Sequence, residues 1–438
     1  MQVKVYIDTH GCKLNQADSQ VIAKSFERAG YSVVSNSSVA DVHVVNTCTV
    51  TRVADKKARQ ALRRVSKRKP QALLVATGCY AQRDPESLVR IAGLDLVVGN
   101  TGKNELVERV REALENKYET NPPEEPSQSV IRPVSRTRVM VKIQEGCNQI
   151  CAYCIVPKVR GRERSVHPND LVGRIAEHVA EGYKEVVLTG TQLGSYGFDI
   201  PGTSLKKLLE RILMETSVPR LRVSSLQPQE ITPDLLDLWA NPRLCRHFHV
   251  PLQSGSAEVL RRMKRRYIPA QYERQVDQIK TMVPEVGITT DVIVGFPGEP
   301  DRSFDETYQL CRRIGFSKIH VFPYSARPGT TAAHFSDQIE TKVKEERAEQ
   351  LLDLSREQGK QFRHGLVGSR QAVLWESRSS VPGAQIWSGF SSNYIRASTV
   401  SSSNLRNQIS LTDLQHVDGE IVWGVVRGGD QIKSPRSP

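Results

Sequence analysis

Cysteine is scarce in this chain, with eight among 438 residues. That is too few for a scaffold stapled by disulfides. The start, Met1-Gln2-Val3-Lys4-Val5-Tyr6, has no charged stretch followed by an apolar one, so no secretory signal is expected. The thiols are then expected in a reducing cytoplasm, as metal ligands or buried side chains. Long apolar runs are also missing. The longest, such as 72–76, fall far short of the ~20 residues of a membrane helix, so no membrane association is expected. Acidic residues are outnumbered, 48 Asp and Glu against 61 Lys and Arg, which leaves a formal charge of +13. That excess suggests a polyanionic partner. Aromatics are few at 6%, yet hydrophobic residues reach 38%, which fits a soluble globular protein and excludes wholesale disorder.

The length suits about three domains of roughly 150 residues each. Over residues 1–117 the apolar segments 3–8, 41–46, 73–77 and 94–98 read as buried strands. Segments 19–29 and 54–65 carry apolar residues at helical spacing between them. This alternation predicts an α/β fold with a doubly wound parallel sheet. Residues 118–136, rich in Pro, Glu and Ser, read as a linker. Over 137–364, six strands are expected at 139–143, 185–188, 221–225, 247–250, 289–294 and 318–322. Helical stretches such as 168–181 and 204–216 separate them. Six β/α units suggest a full or partial barrel, with its site at the carboxyl ends of the strands. Residues 365–430 turn to short strands at 371–376, 393–399 and 420–426 between Ser- and Gly-rich turns, which predicts a small antiparallel β-barrel. Residues 431–438 read as a tail.

Six of the eight cysteines form two sets of three. Cys147, Cys151 and Cys154 have the spacing C-x3-C-x2-C at the end of the first barrel strand. Thiolates so close in a loop can wrap one soft metal centre, and three of them leave one iron of a four-iron cubane open. A zinc loop or buried thiols is the alternative, although zinc wants a fourth ligand and the nearest histidine is His167. Cys12, Cys48 and Cys79 each lie just past the end of an expected parallel strand, where ligands bind in open α/β sheets. Their spacing of about one β/α unit lets them converge on one edge, against the alternative of scattered core cysteines. Cys245 and Cys311 fall in apolar or helical contexts and are expected to pack.

The cluster-loop spacing resembles the radical S-adenosylmethionine (SAM) superfamily. Both triads together resemble its methylthiotransferases, over nearly the whole chain. The landmarks are Thr9 to Asn15, Asn46 to Thr51, Thr77 to Tyr80, Gln144 to Cys154, Pro157 to Ser165 and Gly295 to Glu299. Gly389-Phe390 and Asn393-Tyr394-Ile395-Arg396 resemble a TRAM domain, an RNA-binding module. The resemblance implies two 4Fe–4S clusters, one on each triad, each with an open iron. It implies reductive cleavage of SAM at the Cys147, Cys151, Cys154 cluster and attack of the resulting 5′-deoxyadenosyl radical on an unactivated carbon. Sulfur would arrive through the Cys12, Cys48, Cys79 cluster. The implied SAM contacts are Tyr153, Gly190, Thr191, Ser225, Gln253, Asp291 and Ile293. Here the chain departs from the superfamily: Thr189-Gly190-Thr191-Gln192 stands where Gly-Gly-Glu often does, Asp291 replaces a glycine, and Glu299 falls one position late. The implied partners are tRNA, an electron donor such as flavodoxin or ferredoxin, and a sulfur source.

The family has three branches, acting on isopentenyladenosine in tRNA, on threonylcarbamoyladenosine in tRNA, and on an aspartate of a ribosomal protein. Thr47-Cys48-Thr49-Val50-Thr51, with Ala54-Asp55 and Ala58-Arg59-Gln60, resembles the threonylcarbamoyladenosine branch, as does the run 188–197. That implies methylthiolation of C2 of the adenine at tRNA position 37. Rivals are the isopentenyl substrate, the ribosomal aspartate, and a non-catalytic iron–sulfur RNA-binding protein. Basic runs at 56–69, 261–266 and 160–164 suit phosphate contact, although any single run can be a solvated face. Arg160, Arg162, Tyr394 and Arg396 are the expected RNA-binding residues. Arg160 or Arg162 is expected to pair with the threonyl carboxylate.

Overall fold

The apolar run 42–47 is buried at every residue, which places it in the middle of a sheet covered on both faces. The computed structural model describes residues 2–118, 137–381 and 384–431. The expected linker beyond its first residue, and the tail beyond 431, lie outside the described residues. Strands β1 (Lys4–Thr9), β2 (Ser32–Val33), β3 (Val42–Thr47), β4 (Leu73–Gly78) and β5 (Leu96–Gly99) form one parallel sheet in the order β2-β1-β3-β4-β5. Successive residues of β3 and β4 face opposite ways. Val42, Val44, Leu73 and Val75 pack with Ile22 and Phe26 on one face, while Val45, Leu74 and Ala76 pack with Ala58 and Leu62 on the other.

Helix α1 (Lys13–Arg28) starts immediately after Cys12, earlier than its apolar spacing predicts. Helix α2 (Arg52–Arg68) also starts early, because the Thr51 hydroxyl caps it by accepting from the Ala54 N–H at 3.1 Å. Helix α3 (Cys79–Arg83) follows β4 directly, and α4 (Leu106–Tyr118) closes the layer. The short edge strand β2 carries too little pattern to be expected from sequence. Compact units do not follow chain order: Glu145–Glu163, with its short helix α5 (Val156–Arg160), and Ser325–Ala333 belong with this first sheet. The first unit therefore holds all six cysteines of the two triads.

The second unit begins with six parallel strands. They are β6 (Arg138–Lys142), β7 (Glu185–Thr189), β8 (Arg220–Val223), β9 (His247–His249), β10 (Gly287–Val294) and β11 (Lys318–Pro323). They form two three-stranded sheets, β8-β7-β6 and β9-β10-β11, joined by the bridges Leu221↔Leu244 and Ser225↔His249. This is the partial β/α barrel. Helices α6 (Pro168–Ala180), α7 (Leu205–Glu215), α8 (Pro269–Met282), α9 (Asp301–Ile314) and α10 (Thr341–His364) cover one face. Val186, Leu188, Phe248, Ile288, Val292 and Ile319 meet Ile175, Leu208, Val276, Leu310 and Leu351 there in one core. The alternate residues of each strand form the other, largely polar face. Cys245 and Cys311 are buried, as expected of packing thiols.

The chain ends in a closed barrel of five strands where the sequence suggested three. These are β12 (Arg370–Val381), β13 (Ala384–Ser391), β14 (Arg396–Val400), β15 (Ile409–Asp418) and β16 (Ile421–Gln431), in the order β12-β13-β14-β16-β15. All pairings are antiparallel except β14 with β16. The β13–β14 turn packs onto the amino ends of β6–β9. There Glu185, fully buried, is surrounded by Arg138 at 2.9 Å, Arg220 at 2.9 Å and Arg222 at 2.8 Å. Arg220 also donates to the Phe390 and Ser391 carbonyls, and Arg222 to that of Ser392. The Tyr394 ring lies 5.2 Å from Phe390 and 4.8 Å from His247, with the Arg222 guanidinium 4.5 Å above it.

Burial alone would raise the Glu185 carboxyl, but the charges of Arg222, Arg220 and Arg138 outweigh it and hold the group well below the usual carboxylate range. Glu185→Gln leaves three cations without their anion. We expect it to cost about 3–5 kcal/mol in denaturant unfolding at neutral pH. A carboxyl held low contributes stability above its unfolded pKa and loses it as pH falls. The wild type should therefore lose this difference progressively below about pH 4 until it meets the variant.

Candidate active site

The register of the first sheet brings three strand ends level. Thr9 pairs with Asn46, and Asn46 with Thr77. The residues that follow, Gly11-Cys12, Cys48 and Gly78-Cys79, then share one edge. Two glycines make the approach feasible. Gly11 has φ +108°, and a Cβ there would sit 2.7 Å from Cys48 Cβ and 3.0 Å from its Sγ. Gly78 has φ +97°, and a Cβ there would sit 2.5 Å from the Thr47 carbonyl. Both positions require the left-handed freedom of glycine.

Asn15, fully buried, ties the edge together. Its Nδ2 donates to the carbonyls of His10 at 2.6 Å and Thr47 at 3.0 Å, and its Oδ1 lies 3.9 Å from Cys79 Sγ. Asn100 Nδ2 donates to Cys79 Sγ at 3.5 Å and to the Val159 carbonyl at 2.7 Å. Burial pushes the Cys48 thiol up to about 12, and charge on Cys12 and Cys79 adds to this. The turn after Cys48 is fixed by Asp55. It accepts from Thr49 at 2.6 Å and Arg83 at 3.1 Å, and it pairs with the buried Arg327. The run 47–60, quoted above as a branch signature, thus builds the support of Cys48.

Arg160 departs from expectation. It is buried, and its guanidinium donates to Asn15 Oδ1 at 2.5 Å, Asp18 at 3.1 Å and Glu145 at 2.7 Å. Burial opposes its charge, and charge on Cys79, Asp18, Cys12 and Glu145 overcomes that opposition. The side chain faces the amino-terminal thiols, so it is not presented to an RNA or to a threonyl carboxylate. Arg162, two residues on, is exposed.

The second thiol loop folds back on itself. Gly146 has φ +79°, and a Cβ there would strike the Arg162 carbonyl at 1.9 Å. Cys147 N–H donates to the Gly161 carbonyl at 3.1 Å, Cys154 N–H to that of Cys151 at 3.1 Å, and Gln149 N–H to Cys147 Sγ at 3.4 Å. Cys147 is buried, while Cys151, Tyr153 and Cys154 are half-buried. Among the described residues neither triad closes to the 4.8 Å spacing of a shared single ion. Three thiols in each set match the donors of a four-iron cluster with one open iron, whereas mononuclear zinc wants a fourth ligand.

In the second unit Gly190, Thr191, Ser225, Gln253, Asp291 and Ile293 lie at or near the carboxyl ends of β7 to β10. Gln144 Oε1 accepts from the Thr191 and Gln192 N–H groups at 2.9 Å each and shapes that loop. Gln253, at φ +64°, bridges to β10 through its N–H on the Asp291 carbonyl at 2.8 Å. Glu299 accepts from the Gly295 and Phe296 N–H groups, which occupies the carboxylate that the motif would otherwise offer. Asp291 is engaged by His249 at 3.2 Å.

Tyr394, expected on an RNA surface, is instead packed with Phe390 against Arg222 and His247, since its ring finds a cation and an apolar neighbour there. Arg396 is exposed on β14. Sequence reasoning passed over Asn15, Asn100, Arg327, His249 and His320. Of these only Asn15 lay inside a quoted landmark.

The glycine cradle gives a direct test. Gly11→Ala should lower the reconstituted iron content from about eight per chain to about four, with the absorption of the remaining cluster kept. Gly173→Ala, at a glycine of α6 with open space around it and no positive φ, should not change iron content.

Comparison with known proteins follows this geometry. The uncharacterized protein family UPF0004 matches residues 4–99, which hold the first triad, and the Radical SAM superfamily matches residues 141–311, which hold the second. A relative from Bacillus subtilis (strain 168), threonylcarbamoyladenosine tRNA methylthiotransferase MtaB, is 38% identical over 82% of this chain and 81% of its own. A protein of the same name from Aquifex aeolicus (strain VF5) is 39% identical over 86% of this chain and 94% of its own. The tRNA-2-methylthio-N(6)-dimethylallyladenosine synthase of Geobacter metallireducens is 37% identical over 86% and 88%. In fold, the chain is similar to the radical SAM methyltransferase TsrM from Kitasatospora setae, with a TM-score of 0.54 at 16% identity, over 76% of this chain and 77% of that one. With one triad in each matched segment and relatives this similar over most of its length, the chain belongs to the radical SAM methylthiotransferases, enzymes of tRNA modification that work with SAM and two 4Fe–4S clusters.

Proposed function

We propose that this enzyme methylthiolates C2 of N6-threonylcarbamoyladenosine at position 37 of tRNA. The observation that carries the two-cluster chemistry is the placement of both thiol triads in one compact unit. The substrate rests on the relatives named MtaB, which reach 39% identity, and on the resemblance of the run Thr47 to Gln60 to that branch. Cys147, Cys151 and Cys154 would hold the cluster that supplies reductive SAM cleavage. Cys12, Cys48 and Cys79 would hold the cluster that carries the sulfur to be transferred.

The chain's own residues supply the rest. Tyr153, Gly190, Thr191, Ser225, Gln253 and Ile293 are the SAM contacts in this reading. Asp291 stands apart from these, because it clusters with His249 and His320 on the neighbouring strands. Arg162, Arg396 and the exposed cations of α2 would meet RNA phosphates, so binding should weaken with salt. An electron donor of the flavodoxin or ferredoxin type and a sulfur source complete the turnover. No helix among the described residues is long and apolar enough to cross a membrane, and a cytoplasmic site of action suits a tRNA substrate.

The test is an anaerobic assay of the reconstituted enzyme with SAM, a reductant, and tRNA bearing either the threonylcarbamoyl or the isopentenyl group. Mass spectrometry of digested nucleosides is the readout. We expect a methylthio product from the threonylcarbamoyl tRNA alone, abolished by Cys147→Ala and by Cys48→Ala. Product from the isopentenyl tRNA alone would move the enzyme to the other tRNA branch. 5′-Deoxyadenosine without any modified nucleoside would reject both tRNA substrates.

A further inference from the structure

The polar face of the second unit carries a cluster that the SAM reading does not use. His249, Asp291 and His320 stand on the adjacent strands β9, β10 and β11, and their ligand atoms all lie within 4.8 Å of one another. Register sets this up: His249 pairs with Thr289, and Asp291 with His320. Their neighbours in sequence, Phe248, Val292 and Ile319, belong to the helix-covered core, so the three polar groups share the opposite face.

The cluster is built and braced. His249 Nδ1 lies 2.9 Å from Thr289 Oγ1, and its Nε2 lies 3.2 Å from Asp291 Oδ2. Thr289 Oγ1 in turn lies 3.2 Å from His247 Nε2. The His249 ring thus stands between a hydroxyl on one nitrogen and a carboxylate on the other. One step further toward the carboxyl ends, Ile293 pairs with Phe322, whose side chain is 42% exposed. An open aromatic beside a braced donor–acceptor cluster suits a flat ring that bears a polar arm.

We propose that Asp291 and His320 bind the polar arm of the modified adenosine, with His249 as the positioning residue for Asp291. The inference rests on the threonylcarbamoyladenosine reading. Asp291 accepts from the N–H and O–H groups of the arm, and His320 donates to its carboxylate. An isopentenyl arm offers neither partner. It would strip water from three polar groups without replacing their hydrogen bonds, which is how a polar site rejects an apolar analogue.

The test is a cycle that pairs variants of the reconstituted enzyme with two substrates. One is tRNA bearing the threonylcarbamoyl group, and the other is the same RNA with the arm's carboxylate converted to a primary amide. We expect the wild type to prefer the carboxylate at least tenfold in kcat/KM. His320→Ala should lose at least tenfold on the carboxylate substrate and little on the amide, so that the preference collapses. His320→Gln, which keeps a donor in nearly the same volume, should recover part of it, and Asp291→Asn should lose activity on both. A structural role would lower both substrates together. Equal losses, or an unchanged preference, would overturn the inference while leaving the substrate reading intact. A wild type that ignores both RNAs would remove the substrate reading, and the inference with it. Zinc or a ninth iron that is bound by the wild type and lost in His320→Ala would make the cluster a metal site and also overturn it.

Discussion

To hold iron as proposed, three thiols would have to lose their protons at one sheet edge, and the charge around that edge shapes the rest of the first unit. Cys48 shows the difficulty: burial and its two neighbouring thiols drive its proton affinity up. A compensating cation is needed close by, and Arg160 supplies it. A free guanidinium could not remain buried, so Asp18 and Glu145 hold it in turn, while Lys103 balances Asp18 at 2.7 Å. The chain that follows the second thiol loop is thereby fixed against the first. Ile155 and Val159 pack on Cys79, and Asn100 ties the Val159 carbonyl to the same sulfur. One charge requirement thus explains why Glu145–Glu163 groups with a sheet that ended more than forty residues earlier.

The second unit answers a similar requirement with the opposite sign. Glu185 starts β7, and three arginines surround it. Two of these arginines reach past the carboxylate to backbone carbonyls of the β13–β14 turn. The terminal barrel is therefore fastened by directional hydrogen bonds from charged groups, which hold an orientation better than apolar contact does. Tyr394 and Phe390 serve this joint. The aromatic and basic residues that mark an RNA-binding module in sequence serve here, in part, to seat the module on its neighbour.

Much of this was legible in the sequence. In the two parallel-sheet regions the apolar segments matched the main strands within a residue or two, because burial on both faces demands unbroken apolar runs, whereas the terminal barrel's shorter pattern hid two of its five strands. The six cysteines stood out by spacing and by position after strands. What sequence could not convey was direction. Arg160 reads like Arg162, yet one is buried against thiols and the other is exposed, and the difference lies in how a five-residue helix is turned. Tyr394 was misjudged for the same reason. His249 and His320, 71 positions apart, meet only through the register of β9, β10 and β11, which no local pattern records.

The two ends of the six-stranded layer consequently divide the work. Its amino end is filled by Glu185, its arginines and the aromatic pair, so the terminal barrel occupies that side. The polar cluster, the glycine-containing loop after β7 and the Gln253 bridge lie toward the carboxyl end, from about 7 Å along β9, between His247 and His249, to more than about 10 Å along β7 and β10, at 3.3 Å per residue. A nucleoside cannot enter through a closed end. In the proposed reading it would approach from the carboxyl side, where the loops carry the polar side chains and Phe322 stands open. In the proposed reading the terminal barrel would meet RNA by its remaining exposed surface, with Arg396 on β14, and its fixed seat would set how far the bound RNA lies from the carboxyl end of the same unit. Loosening that joint would therefore change where the RNA is held, even with every thiol in place.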